Sequence, residues 1–176
     1  MIVLMAGLPG TGKSTLAREL SRLTQGIVLS KDEIRAAVFA PKDIDYSVMQ
    51  DDFVMQIMLD ASHFLWQRPS SLGSVIFLDG RTFSRTYQIE RVLAFAAEMR
   101  QPWRILECSC SEESARRRLE NADPSHPARN RSFDLYLEMK SHFEEITRPK
   151  TVIDTDQQFE HCVHQALAAL ALPGSH

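Results

Sequence analysis

Five short strand-like stretches divide the chain, and the segments between them carry apolar residues at every third or fourth position. Ile2 to Ala6, Ile27 to Leu29 and Val75 to Leu78 are apolar throughout, and Trp103 to Cys108 and Thr151 to Asp154 are mixed stretches that read as two further strands. Continuous runs of this length suit strands buried on both faces of a parallel sheet. After the first run, Leu16, Leu20 and Leu23 give a helix over Lys13 to Thr24 that stops at Gln25-Gly26. Ser30-Lys31-Asp32-Glu33 matches the capping box, so the next helix starts at Ser30. Tyr46 to Trp66, Ser84 to Arg100, a segment opening at Ser111, Phe133 to Ile146 and Gln157 to Leu170 read as further helices. Strands alternating with helices predict an α/β fold: a five-stranded parallel sheet wrapped on both faces, with ligands gathered at the carboxyl ends of the strands.

Asn121 to Arg131, with two prolines, is the one long polar connection and reads as part of a lid spanning about residues 116–131. Residues 1–172 form one domain and 173–176 a flexible tail, with no repeat and no low-complexity segment. The length of 176 residues and 44% hydrophobic content suffice for an ordinary core. Three cysteines, an odd number with Cys108 and Cys110 too close for zinc spacing, read as reduced thiols of a cytoplasmic protein. No apolar run approaches the ~20 residues of a membrane span. A net charge of −3 and a pI near 6.1 lack the basic footprint of a protein dedicated to long nucleic acid.

Chemistry concentrates after the first strand. Gly7-Leu8-Pro9-Gly10-Thr11-Gly12-Lys13-Ser14-Thr15 fits G-x-x-x-x-G-K-[ST] between a strand and a helix. Such a loop turns its backbone N–H groups inward around a polyphosphate, and the helix adds its positive N-terminal end. Lys13 then reaches the β- and γ-phosphates, and Ser14 offers a hydroxyl to Mg²⁺. Asp79, at the end of the strand Val75 to Leu78, is the candidate second metal group, or alternatively orients an acceptor or merely turns the chain with Gly80.

Asp32 lies in the first turn of its helix, with Arg35 one turn on. It is placed either to accept a proton from an acceptor hydroxyl or to form a plain i,i+3 pair with Arg35. Arg116 to Arg118, Arg129 and Arg131 are candidates to face a nucleotide, and of the three consecutive ones at most one or two can, because consecutive helical residues diverge by 100°. His161 and His164 lack a third partner and read as surface residues, and Met49, Met55 and Met58 as core. Asp51, Asp52 and Arg81 are candidates for an acceptor pocket built from residues 36–68 and the start of the helix after Asp79.

These motifs, with Leu29-Ser30-Lys31-Asp32-Glu33-Ile34-Arg35, Val75-Ile76-Phe77-Leu78-Asp79-Gly80 and Arg118-Leu119, resemble the P-loop kinases over nearly the whole chain. Within them the resemblance is to the polynucleotide-kinase-like and zeta-toxin-like, AAA_33-type, phosphotransferases. It implies a P-loop NTPase three-layer αβα sandwich with a short helical lid. It also implies ATP and Mg²⁺ as cofactors, Asp32 as general base, and Arg35 at the acceptor or the transferring phosphate. Asp79 would sit toward the acceptor, and Arg118 would be the lid arginine on adenine or the phosphates. The position four residues after Arg118, where the group often has a second arginine, is Ala122, so Arg129 or Arg131 would stand in. Gly80-Arg81-Thr82 also departs from the small polar residues usual in polynucleotide kinases. The leading expectation is transfer of the γ-phosphate of ATP to a hydroxyl of a small-molecule acceptor. A polynucleotide 5′-hydroxyl is the alternative acceptor, and a nucleotide-binding switch without transfer is the alternative class. Oligomeric state leaves no mark on the sequence.

Overall fold

The structure, a computed structural model, describes residues 1–68, 74–121 and 132–171. Its strands are β1 (Ile2–Ala6), β2 (Ile27–Ser30), β3 (Ile76–Asp79), β4 (Trp103–Ser109) and β5 (Thr151–Asp154). They form one parallel sheet in the order β2-β3-β1-β4-β5, as the unbroken apolar runs predict. The helices are α1 (Lys13–Thr24), α2 (Lys31–Val38), α3 (Val48–Trp66), α4 (Thr86–Glu98), α5 (Glu112–Glu120), α6 (Phe133–Ser141) and α7 (Phe159–Ala171).

Alternation along the central strands sends residues to two cores. Val3, Met5, Phe77, Leu106 and Ile153 pack with Leu16 and Leu20 of α1 and Val163 and Ala166 of α7. Ile2, Leu4, Ile76, Leu78 and Ile105 pack with Val54, Met55 and Met58 of α3 and Ile89 and Val92 of α4. The result is the three-layer αβα sandwich of a P-loop fold. A smaller cluster joins Ala115 and Leu119 of α5 to Phe133 and Tyr136 of α6, with Leu8 of the first loop against it. Among the described residues no helix is long and apolar enough to cross a membrane.

Local signals set most element ends. Ser30, Ser47, Ser111 and Ser132 each accept a backbone N–H with the side chain and start α2, α3, α5 and α6. Three expectations need correction. Met49, read as core with Met55 and Met58, is 79% exposed on α3, because it falls on the solvent side of a helix whose buried face carries the other two. The third helix begins at Val48 rather than Tyr46, because Tyr46 adopts φ 54°, which no helix accommodates, and Ser47 caps instead. The helix from Phe133 ends at Ser141 rather than Ile146, since residues 142–150 leave the helix to bring Ile146 into the core under α4. The segment 116–131 is described only as far as residue 121, and the tail 173–176 lies outside the described residues.

Candidate active site

The glycine loop leaves β1 at the sheet centre. Gly7 (φ 126°) passes so close to β4 that a Cβ there would lie 2.2 Å from the Cys108 carbonyl oxygen. Gly12 (φ 81°) is instead held by conformation alone, for a Cβ would meet nothing nearer than Thr155 at 3.7 Å. The loop is bound from both sides. The Gly7 N–H donates to the Thr82 carbonyl at 3.0 Å, just beyond β3, and Thr11 Oγ1 donates to the Leu8 carbonyl at 2.8 Å. Lys13 is buried, and its ammonium donates to the same Leu8 carbonyl at 2.7 Å. That bond folds the lysine back across the loop.

Lys13 and Ser14 form one wall of a cavity of about 800 Å³ whose other wall comes from α2, α3, the β3–α4 connection and α6. Asp32 and Arg35 line it together with Lys31, Asp51 and Arg81. Arg35 is 2% exposed and bridges two carboxylates, donating to Asp32 Oδ1 at 3.1 Å and to Asp51 Oδ1. Lys31, also buried, donates to Asp51 Oδ2 at 2.8 Å. Burial pulls the Lys31 ammonium below the usual lysine range, and the Asp51 charge opposes that pull. Arg81 donates to Asp52 Oδ1 at 2.7 Å, with Tyr87 Oη 3.4 Å away. The Tyr46 ring lies against the Arg35 guanidinium, 4.9 Å from its centroid.

Asp79 is 4% exposed, and its Oδ1 has no hydrogen-bond partner among the described residues. An orphaned carboxylate oxygen at the end of the strand beside the glycine loop fits a divalent cation or one of its waters. Among the described residues no group of three or more His, Cys, Asp or Glu could hold a metal ion by itself. Ser14 and Asp79 would therefore supply few ligands, phosphates and waters the rest, as Mg²⁺ prefers.

Arg118 stands elsewhere. It donates to the Gly10 carbonyl at 3.3 Å and to Thr155 at Oγ1 (2.9 Å) and O (2.7 Å), on the side of the loop facing β5. The Arg116 guanidinium lies on the Phe133 ring, and Arg117 donates to Ser114 Oγ at 3.4 Å. Arg129 and Arg131 lie outside the described residues. The structure thus brings Lys13, Ser14, Asp32, Arg35, Asp51 and Arg81 to one cavity, and sets Arg118 against the back of the loop. Lys31 and Thr155 carry no sequence signal of a site. Their partners, Asp51 and Arg118, are 20 and 37 residues away in the chain.

Comparison with known proteins agrees with this architecture. A family model described as an AAA domain (AAA_33) matches residues 2–146. No curated protein sequence matches the chain. Among solved structures, APS kinase CysC of Mycobacterium tuberculosis in complex with AMPPNP and APS has a TM-score of 0.72 at 15% identity, over 97% of each chain. A gluconokinase from Sinorhizobium meliloti 1021 has a TM-score of 0.70 at 13% identity, covering 97% of this chain and 90% of that one. Kti12 of Chaetomium thermophilum in complex with ADP-AlF3 has a TM-score of 0.68 at 19% identity, over 98% and 100%. Identities this low show a shared fold.

Proposed function

On the premise that the chain belongs to the AAA_33 family, we propose that it is an ATP-dependent phosphotransferase acting on a hydroxyl of a small-molecule acceptor. One observation carries the reading: Lys13 and Ser14 line a single cavity together with Asp32 and Arg35. A phosphate-binding wall and a carboxylate wall on one space are what in-line transfer to an alcohol requires. Solved structures with this fold include a gluconokinase and an APS kinase, which supports the choice of class.

In this reading the triphosphate takes the Leu8-bound ammonium of Lys13 onto its β- and γ-oxygens, and the loop N–H groups hold the rest. Ser14 and Asp79 would hold Mg²⁺ or its waters, which would supply charge neutralisation. Asp32 sits in the first turn of α2, where the helix end stabilises its anion by roughly 0.3–1 kcal/mol. It aligns the acceptor hydroxyl and receives its proton late in the transfer, a task that asks for position more than basicity. Arg35 holds that carboxylate in place. Arg118, tied to Gly10 and Thr155, would meet the nucleotide from that side of the loop, at the adenine or the phosphates.

The test is Asp32→Asn. Phosphoryl transfer from γ-labelled ATP should fall at least about 10²-fold while nucleotide binding, followed by titration, is kept. Undiminished transfer would remove Asp32 from the chemistry.

A further inference from the structure

The charges around the acceptor half of the cavity are already matched to one another. Lys31 is paired with Asp51, Arg35 with both Asp32 and Asp51, Arg81 with Asp52, and Arg85 with Glu144 at 3.2 Å. Lys13, whose ammonium donates to the Leu8 carbonyl, is committed to the triphosphate by the proposed function. The remaining charged side chain on the wall, Glu138 of α6, is another carboxylate.

An anionic group entering this space would compete with those carboxylates for the same cations and would lie beside Asp32 and Asp51. That competition is unfavourable, so the carboxylates select against anions as well as binding donors. A hydroxyl meets no such penalty. It donates to a carboxylate in a charge-assisted bond and leaves the arginine pairs intact.

Tyr46 adds a second requirement. It lines the cavity with φ 54°, a left-handed conformation that costs a non-glycine residue energy. Gln50, itself buried, holds that loop: its Oε1 accepts from the Asp45 and Tyr46 N–H groups at 3.3 and 3.4 Å, and its Nε2 donates to the Asp43 carbonyl at 2.9 Å. The strained loop keeps an aromatic ring beside the Asp32–Arg35–Asp51 bridge. Such a ring takes the carbon face of a compact polyol.

We infer that the acceptor is an uncharged polyol, with one hydroxyl on Asp32 for transfer, a second on Asp51 for position, and its carbon face on Tyr46. This inference rests on the proposed phosphotransferase activity and narrows its acceptor. Transfer breaks the bond between the γ-phosphorus and the bridging oxygen of ATP and forms one to the acceptor oxygen. ADP leaves with the bond electrons, and the hydroxyl proton passes to Asp32.

The experiment reads the charge of the product. The full chain is incubated with γ-labelled ATP, Mg²⁺ and a deproteinised small-molecule extract of its own cells, and labelled products are separated by anion exchange at pH 8. A product eluting with a neutral-sugar monophosphate, carrying the charge of the phosphoryl group alone, is expected. In paired assays an aldose should exceed its matching aldonate at least tenfold in kcat/KM, and Asp51→Asn should raise the acceptor KM about tenfold while the KM for ATP changes less than threefold. A product with a further negative charge, one with a compensating positive charge, or label recovered in nucleic acid overturns the inference and leaves the phosphotransferase reading standing. Labelled free phosphate alone overturns both.

Discussion

Arg118 and Thr155 are joined twice, guanidinium to hydroxyl at 2.9 Å and guanidinium to carbonyl at 2.7 Å. The same Thr155 hydroxyl lies 3.0 Å from the carbonyl oxygens of Thr11 and of Ser109, so one side chain ties α5, the glycine loop and the end of β4 together. Thr155→Val keeps the shape and removes the hydroxyl. It should cost about 1 kcal/mol of stability, the net worth of a buried hydrogen bond, and raise the KM for ATP several-fold without moving that for the acceptor. Steady-state kinetics with each substrate varied in turn checks the split.

Arg35 is a buried cation between two carboxylates, and its removal leaves Asp32 and Asp51 with less positive charge between them. Arg35→Ala should destabilise the fold by about 3–5 kcal/mol, as breaking a buried ion pair does. Arg35→Lys keeps the charge, but one ammonium lacks the fork that reaches both partners, so stability and transfer should both fall to intermediate values. Asp32→Asn should lose transfer most and stability least. Urea unfolding with unchanged m-values, beside label-transfer rates, ranks the three variants.

The parts of the molecule legible in the sequence were those fixed by neighbours in the chain. The apolar runs of the sheet, the Ser30 and Ser111 caps and the glycine loop are all decided within about ten residues, and their chemistry can be read there. The Arg35–Asp51 and Lys31–Asp51 pairs were not legible, because they form between α2 and α3 across a loop whose course depends on Tyr46 and Gln50. Asp51 stands out in the sequence only as one of two adjacent aspartates. Helical geometry left open which of three consecutive arginines turns toward the loop and the resemblance pointed to Arg118, but its tie to Thr155 was not legible, since β5 reaches the loop only through the sheet order. The end of α6 at Ser141 was missed because apolar Phe143 and Ile146 continue a helical period while serving the core from an irregular segment.

Gly7 and Gly12 differ in what they protect, and alanine at each should separate the two effects. At Gly12 the substituent has room, so Gly12→Ala costs the left-handed backbone, about 1–2 kcal/mol, and weakens nucleotide binding moderately. Gly7→Ala adds a Cβ 2.2 Å from the Cys108 carbonyl oxygen of a central strand, which cannot yield without moving β4. It should therefore destabilise the protein more than Gly12→Ala and abolish nucleotide binding. Thermal unfolding with and without ATP distinguishes them, because a variant that still binds shows a ligand-dependent rise in Tm.

Cys108 lies under the loop on β4, and burial pushes its thiol up to about 12, with the Lys13 charge opposing and the Asp79 charge adding to the shift. Between an ordinary thiol pKa near 9 and this value, the unfolded chain has released the proton and the folded chain has kept it. The folded state binds more protons, so stability falls as pH rises through that window, by up to about 1.4 kcal/mol per pH unit for one group. Lys31 acts in the opposite sense. Its folded value lies below the ordinary 10.5, so between the two the unfolded chain holds the extra proton and stability rises with pH. The two contributions oppose each other in the wild type and are separated by Cys108→Ala, in which Lys31 is untouched. The variant should lose less stability than the wild type between pH 9 and 10.5 when both are unfolded in urea across that range. Equal slopes would mean that the thiol is not held protonated by its surroundings.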